Sequence, residues 1–91
     1  MNLFNHKNPF TIGIEEEYML CDPIDGELVS RADEIINSLE KDLFNRYSYE
    51  LILSEIEVNT SVCNNVSDAI EEIKFLRNNT KKIGEKYNFK L

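Results

Sequence analysis

The chain has 91 residues, which is enough for one small domain with a modest core. Its composition, 42% hydrophobic and 30% charged, is that of an ordinary folded protein and argues against disorder. The formal net charge of −7 argues against a nucleic-acid surface and against binding to anionic membranes. No apolar run approaches the roughly 18 residues of a membrane span, and the first ten residues lack the features of a signal peptide, so we expect a cytoplasmic protein.

The first predicted strand runs from Ile12 to Leu20, after an irregular lead-in over residues 1–10. Its β-branched and aromatic residues are typical of a strand. The segment CDPIDGE follows, and Pro23 and Gly26 indicate a turn there. Glu27–Val29 is predicted to be a short return strand.

A first helix is predicted to begin at Ser30, with Asp33 three residues later in a near capping box, and to fade near Asn45. Helical spacing places five apolar residues on one face of this helix: Ala32, Ile35, Ile36, Leu39 and Leu43. The second main strand is predicted over Tyr49–Thr60.

A second helix is predicted to open near Asn65 and to end at Gly84. Its predicted inner face consists of Val66, Ala69, Ile70, Ile73, Leu76, Thr80 and Ile83. The tail YNFKL is typical of the first residues of another strand. The predicted order is therefore β-β-α-β-α-β, an α+β protein with helices packed on one face of a sheet.

Carboxylates recur on both predicted strands. Because side chains alternate along a strand, Glu15 and Glu17 share one face of the first, and Glu55 and Glu57 share one face of the second. If the strands are neighbours, four carboxylates converge and repel unless a cation such as Mg²⁺ or Mn²⁺ neutralises them. A solvated sheet face with scattered acids is the alternative. Glu16 interrupts the apolar stripe, which predicts either a basic partner or a bulge.

The cysteines do not indicate a metal site. Cys21 and Cys63 form no CxxC pair, and His6 is the only histidine, so a zinc site lacks ligands. Both are expected to be reduced thiols in or near a core.

Several motifs occur in a fixed order within FTIGIEEEYMLCDPIDGELVSRADEII and ELILSEIEVNTSVCNNVSDAIEEIKFLR. They are a G-I-E-E-E start, a D-P-x-x-G turn, an R-A-D helix start, and an E-V-N-T strand followed by V-C. From about Thr11 to its end, the chain thereby resembles the N-terminal part of bacterial and archaeal glutamate–cysteine ligases, which are carboxylate–amine ligases. It departs from the family pattern at Glu55, where glutamine is frequent, and at Ser61, where proline is common.

The resemblance implies a glutamine synthetase-like fold, in which a mainly antiparallel sheet carries divalent ions on one face and helices on the other. It implies that Glu15, Glu17 and Glu57 are ligands of Mg²⁺ or Mn²⁺. It assigns no role to Glu16 and leaves that of Glu55 open. Because family members are several times longer, residues 11–91 are expected to be the N-terminal portion of a catalytic domain, cut short, with nucleotide and substrate contacts outside it.

The resemblance also implies a reaction. Members use ATP to convert the γ-carboxylate of glutamate to an acyl phosphate, which the amine of cysteine or another amine then attacks. No catalytic residue is assigned within this chain, and alone it is expected to be inactive. The alternative is a non-catalytic relative that serves as a small binding or assembly module. In either case, an unpaired sheet edge would favour association with other polypeptide.

Overall fold

The computed structural model describes residues 11–91 and confirms an α+β fold with a three-stranded antiparallel sheet. The lead-in predicted over residues 1–10 lies outside the described residues. The sheet order is β1-β3-β2, with strands β1 (Glu15–Met19), β2 (Tyr47–Tyr49) and β3 (Glu55–Asn59). The helices are α1 (Ala32–Ser38), a 3₁₀ helix (Lys41–Arg46) and α2 (Val66–Tyr87). Within residues 11–91, no helix has the length and apolar character needed to cross a membrane.

The prediction of a single strand over Tyr49–Thr60 is wrong, because the chain reverses its direction within this segment. Strands β2 and β3 form an antiparallel hairpin in which Ser48 lies opposite Glu57. The intervening turn, residues 50–54, contains no glycine, proline, asparagine or aspartate, and Ser54 is its one turn-favouring residue, so its local sequence signals a reversal only weakly. Residues 51–53, all apolar, are exposed in the turn.

Tertiary hydrogen bonds hold this turn. The Ala32 N–H donates to the carbonyl of Leu53 at 2.9 Å, and the Leu20 N–H donates to the carbonyl of Ser54 at 2.8 Å. The turn is therefore fixed by the start of α1 and by the end of β1, two contacts that are distant in sequence.

Helix α1 is shorter than predicted at both ends. It begins at Ala32 rather than Ser30, and its N-cap, Arg31, makes no side-chain capping bond, so the predicted capping box is wrong. It ends at Ser38, whose hydroxyl donates to the carbonyl of Glu34 at 2.6 Å. Such a bond competes with the helical backbone pattern, and Leu39 is already extended.

The two short strands predicted at Glu27–Val29 and in the C-terminal tail are reduced to isolated bridges. Leu28 and Lys90 each pair with Cys21 in antiparallel orientation. The predicted element order is corrected accordingly to β1-α1-β2-β3-α2, with the 3₁₀ helix before β2.

Helix α2 begins as predicted. The Asn65 side chain accepts a hydrogen bond from the Asp68 N–H at 2.8 Å, which satisfies one free donor of the first turn. The buried positions of the helix are Ala69, Ile73, Leu76, Thr80, Ile83 and Gly84. Val66 and Ile70 are exposed instead, so their assignment to the inner face is wrong.

The end of α2 predicted at Gly84 is also wrong, since the helix continues to Tyr87. Asn88 adopts the left-handed conformation, with φ of 63°, and reverses the chain. The Phe89 N–H then donates to the Gly84 carbonyl at 2.9 Å, as in a Schellman motif. Gly84 is required by this return, because a Cβ there would lie 2.6 Å from the Phe89 carbonyl oxygen.

The core lies between the sheet and the two α-helices. Ile56 and Val58 of β3 are fully buried on the face that the helices cover. The other members of this core are Leu20, Ala32, Ile35, Leu39, Tyr47, Ile73, Leu76, Ile83 and Phe89. The predicted packing of both helices against one sheet face is thus confirmed, and no helix of residues 11–91 covers the face that bears Glu17 and Glu57.

Candidate metal centre

Glu17 and Glu57 lie directly opposite each other on β1 and β3. In an antiparallel pair, opposite residues project from the same side of the sheet, with Cβ atoms about 5 Å apart. In the same register, Glu15 lies opposite Asn59. The three predicted ligands, Glu15, Glu17 and Glu57, therefore share one face of one sheet on neighbouring strands, as the alternation predicts.

The hairpin adds a carboxylate that the sequence analysis missed, Glu50. It follows Ser48 by two residues, and Ser48 lies opposite Glu57, so the turn directs Glu50 to the same face. Carboxylate oxygens of Glu17, Glu50 and Glu57 all lie within 4.8 Å of one another. In the part of the chain that the structure describes, this is the one group of acidic, cysteine or histidine side chains arranged to hold an ion.

The surroundings of Glu50 disfavour its charged form. Its pKa is raised above the usual range because its protonated carboxyl can donate a hydrogen bond to Glu57, because it is desolvated, and because Glu17, Glu57 and Glu55 repel its anion. Its Oε1 atom is buried, and no donor from residues 11–91 reaches it. A buried carboxylate oxygen without a donor is costly, so the arrangement favours a proton or a cation between the three groups.

The donor set fits a hard divalent cation. Oxygens bound to one octahedral ion at about 2.1 Å are about 3 Å apart when adjacent and about 4.2 Å apart when opposite. Oxygens of Glu17, Glu50 and Glu57 lie within 4.8 Å of one another, an upper limit that is close to this range. Because all three donors are carboxylate oxygens, the chemistry suits Mg²⁺ or Mn²⁺ better than zinc. Glu15 lies beyond this group on the same face, and its role as a ligand stays a prediction.

Glu16 projects to the opposite face, where it is paired rather than bulged. Arg77 of α2 donates from Nε at 3.1 Å and from Nη2 at 2.5 Å, and the Tyr18 hydroxyl donates to the same carboxylate. The Arg77 hydrogen bonds hold the pKa of Glu16 below its usual range, although burial opposes this. Burial and the bond to Glu16 raise the pKa of Tyr18 to about 12. The β1–β3 register runs unbroken through Glu16, so the basic partner is the correct alternative.

A second polar network anchors the chain after β3. Glu72 of α2 accepts bonds from the Ser61 N–H at 2.8 Å and the Ser61 hydroxyl at 2.6 Å, and from Nε of Arg46 at 3.1 Å. The Cys63 thiol lies 3.4 Å from the same carboxylate. Burial raises the pKa of Glu72, but the hydrogen bonds from Ser61 and Cys63 and the Arg46 charge together outweigh it, so the net pKa is lowered. This network ties the end of the strand that carries Glu57 to α2.

Several curated proteins that are similar to this chain carry closely related names. The protein named "Putative glutamate–cysteine ligase 2-1" of Rubrobacter xylanophilus is 41% identical over 68 residues, which are 75% of this chain and 18% of the relative. The corresponding ligase 2 of Herpetosiphon aurantiacus is 44% identical over 69 residues, 76% of this chain and 18% of the relative. That of Solibacter usitatus is 37% identical over 79 residues, 85% of this chain and 20% of the relative. No family model matches the chain.

By these matches, the chain is similar to the N-terminal portion of glutamate–cysteine ligase-like proteins. It spans about a fifth of the length of the curated relatives it matches. The activity of a complete ligase therefore does not follow from the match alone.

Proposed function

We propose that this chain supplies part of the divalent-metal site of an ATP-dependent carboxylate–amine ligase of the glutamate–cysteine ligase type. The proposal rests on the convergence of Glu17, Glu50 and Glu57 within 4.8 Å, on a sheet face that the helices leave open. The names of the relatives supply the reaction class. Glu15 is proposed as a further ligand from the same face.

In this reaction, ATP would phosphorylate the γ-carboxylate of glutamate, and the amine of cysteine or another amine would attack the acyl phosphate. When bound, Mg²⁺ or Mn²⁺ supplies positive charge that neutralises the phosphates during phosphoryl transfer. The residues of this chain contribute by holding oxygen donors in place. Glu17 and Glu57 sit on hydrogen-bonded strands, which position side chains more accurately than loops do, and Glu50 joins them from the hairpin turn.

The three-stranded sheet would be one part of a larger, glutamine synthetase-like sheet. The relatives are about five times longer than the part they share with this chain, and the contacts to nucleotide and amino acids would lie in that remainder. The 91-residue chain alone would then bind metal weakly and would not turn over ATP.

The direct test is Mn²⁺ binding to the 91-residue chain, measured as the loss of the free Mn²⁺ signal in electron paramagnetic resonance. Glu17→Gln, Glu50→Gln and Glu57→Gln should each weaken binding by at least about tenfold, since each removes a charged ligand. Glu40→Gln is the matched control, because Glu40 is an exposed acid outside the cluster and the change in net charge is the same. Equal weakening in all four variants would indicate diffuse attraction to an acidic surface and would contradict the proposal.

The reaction class is tested in a chimera, in which this chain replaces the matching segment of the Rubrobacter xylanophilus protein. The expected result is ATP-dependent coupling of glutamate to an amine, with Glu17→Gln and Glu57→Gln inactive and Glu40→Gln active. A folded chimera that binds Mn²⁺ but ligates none of the amines tested would favour the non-catalytic module instead.

A further inference from the structure

In the part of the chain that the structure describes, the side of β1 that faces away from β3 carries one backbone pairing, made by the C-terminal tail. Cys21 and Lys90 exchange two backbone hydrogen bonds, at 2.7 and 2.8 Å, in antiparallel orientation. The preceding residue, Leu20, directs its N–H toward β3 by donating to Ser54. Because backbone groups of successive strand residues point to opposite sides, the Cys21–Lys90 pair lies on the other edge of β1.

Within residues 11–91, the same alternation leaves a row of backbone groups without a partner. Met19, Glu17 and Glu15 direct their N–H and C=O groups to the edge that Cys21 uses.

Leu28 also pairs with Cys21, but from the β3 side, where the Val29 N–H donates to the Leu20 carbonyl. Among residues 11–91, Lys90 is therefore the only residue paired on the edge that faces away from β3. A row of unpaired strand groups is a template for another strand.

The tail already has the burial pattern of a strand that follows this edge. Phe89 is buried, Lys90 is exposed, and Leu91 is partly buried against the core. This period of two matches β1, where the residue opposite Leu91 in the antiparallel register is the buried Leu20. At Leu91 the backbone therefore lies alongside β1 and runs toward Met19.

We propose that the open edge of β1 receives an antiparallel strand from the polypeptide that, in the longer relatives, follows the position of Leu91. The Cys21–Lys90 pair sets the register, so the first, third and fifth residues after that position would lie opposite Met19, Glu17 and Glu15. Their side chains would project on the carboxylate face and border the proposed metal site. The inference rests on backbone geometry alone, and its test needs no metal, so it fails or succeeds separately from the proposed function.

The test extends the chain after Leu91 by about ten residues, the length of a long strand, taken from the corresponding place in the Rubrobacter xylanophilus relative. Amide hydrogen exchange is measured residue by residue by nuclear magnetic resonance. The amides of Glu15, Glu17 and Met19 should exchange about tenfold or more slowly in the extended protein than in the 91-residue chain. The amides of Glu16 and Tyr18, which face β3, should be protected equally in both proteins and report that both are folded.

Proline scanning of the extension tests the register. Proline at the third added residue removes the N–H that would bond to the Glu17 carbonyl, and it should restore fast exchange at Glu17. Proline at the second added residue, whose N–H would point away from β1, should leave the protection in place. Unchanged exchange of the Glu15 and Glu17 amides in a folded extended protein would overturn the proposal. Equal effects of the two prolines on amide exchange would also overturn it. So would protection of these amides in the 91-residue chain that rises with protein concentration, because it would indicate that the edge pairs with a second copy.

Discussion

At the scale of single residues, the three consecutive glutamates of β1 have different environments. The outer two face the open side of the sheet, whereas Glu16 faces α2 and is bound by Arg77 through two N–H groups. Arg77→Met removes two donors but keeps much of the aliphatic contact. It should lower the free energy of unfolding by about 1–2 kcal/mol, because the partly buried Glu16 carboxylate then keeps only the Tyr18 hydroxyl as a donor. The pair itself should couple by about 1 kcal/mol, because its side chains are 40% and 26% exposed and solvent screens them.

Urea denaturation of a double-mutant cycle measures this coupling, with Glu16→Gln as the second change. Lys74→Met, at an exposed position of the same helix, is the control and should change stability little. Additive effects of Arg77→Met and Glu16→Gln would show that the pair contributes nothing beyond its separate side chains.

The two free thiols also differ at this scale. Burial raises the pKa of the Cys63 thiol, and the nearby Glu72 carboxylate adds to that effect. Because the thiolate is the reactive form, Cys63 should react with iodoacetamide about tenfold or more slowly than the half-buried Cys21 in the folded protein at about pH 8. The measurement uses Cys21→Ser and Cys63→Ser, each with one thiol, and urea-unfolded samples should react at similar rates. Equal rates in the folded proteins would contradict the described environment of Cys63.

At the scale of elements, Gly84 allows close contact between helix α2 and the reversed segment that follows it. An added Cβ would lie 2.6 Å from the Phe89 carbonyl oxygen, which is backbone and cannot move aside without disturbing the helix end. Gly84→Ala should therefore destabilise the protein by about 1–3 kcal/mol by overpacking, despite the roughly 1 kcal/mol that alanine favours in a helix interior. Gly13→Ala is the control, because its Cβ would meet only Thr60 Oγ1 at 3.9 Å. The measurement is the melting temperature of each variant relative to the parent. A Gly84→Ala protein that melts above the parent would show that the chain around Phe89 moves aside without cost.

The elements that the sequence predicts well are those whose information is local. Helix α2 has a capping asparagine and a long apolar period, and β1 has a strict alternation that places Glu15 and Glu17 correctly with respect to Glu57. The hairpin was missed because its turn is held by contacts from Ala32 and Leu20 rather than by turn residues. The same error concealed Glu50, because alternation along one continuous strand would place Glu50 on the sheet face that does not bear Glu57.

At the scale of the whole molecule, apolar burial and carboxylate clustering are separated by the sheet. One face packs against both α-helices, and the other carries Glu17, Glu50 and Glu57, none of which forms an ion pair with another of the residues 11–91. Like charges this close destabilise the folded state relative to an unfolded chain in which they are far apart. The net charge of −7 adds to this repulsion. The folded protein should therefore gain stability from a divalent ion that the unfolded chain binds poorly.

Added Mn²⁺ is expected to raise the melting temperature of the 91-residue chain by mass action on the folded state. At a Mn²⁺ concentration about ten times the dissociation constant, the free energy of unfolding rises by about 1.4 kcal/mol. This corresponds to an increase in melting temperature of about 5–10 °C for a domain of this size. Glu17→Gln, Glu50→Gln and Glu57→Gln should reduce that shift. Without metal, these three variants should melt at or above the melting temperature of the parent. The largest increase in melting temperature is expected for Glu50→Gln, because the Glu50 carboxylate is repelled by three neighbouring acids and its Oε1 has no donor from residues 11–91. Glu40→Gln should keep the full shift. The measurement is a thermal melt of all five proteins with and without Mn²⁺, and equal shifts across the set, or no shift in the parent, would place the cation-binding role outside this cluster.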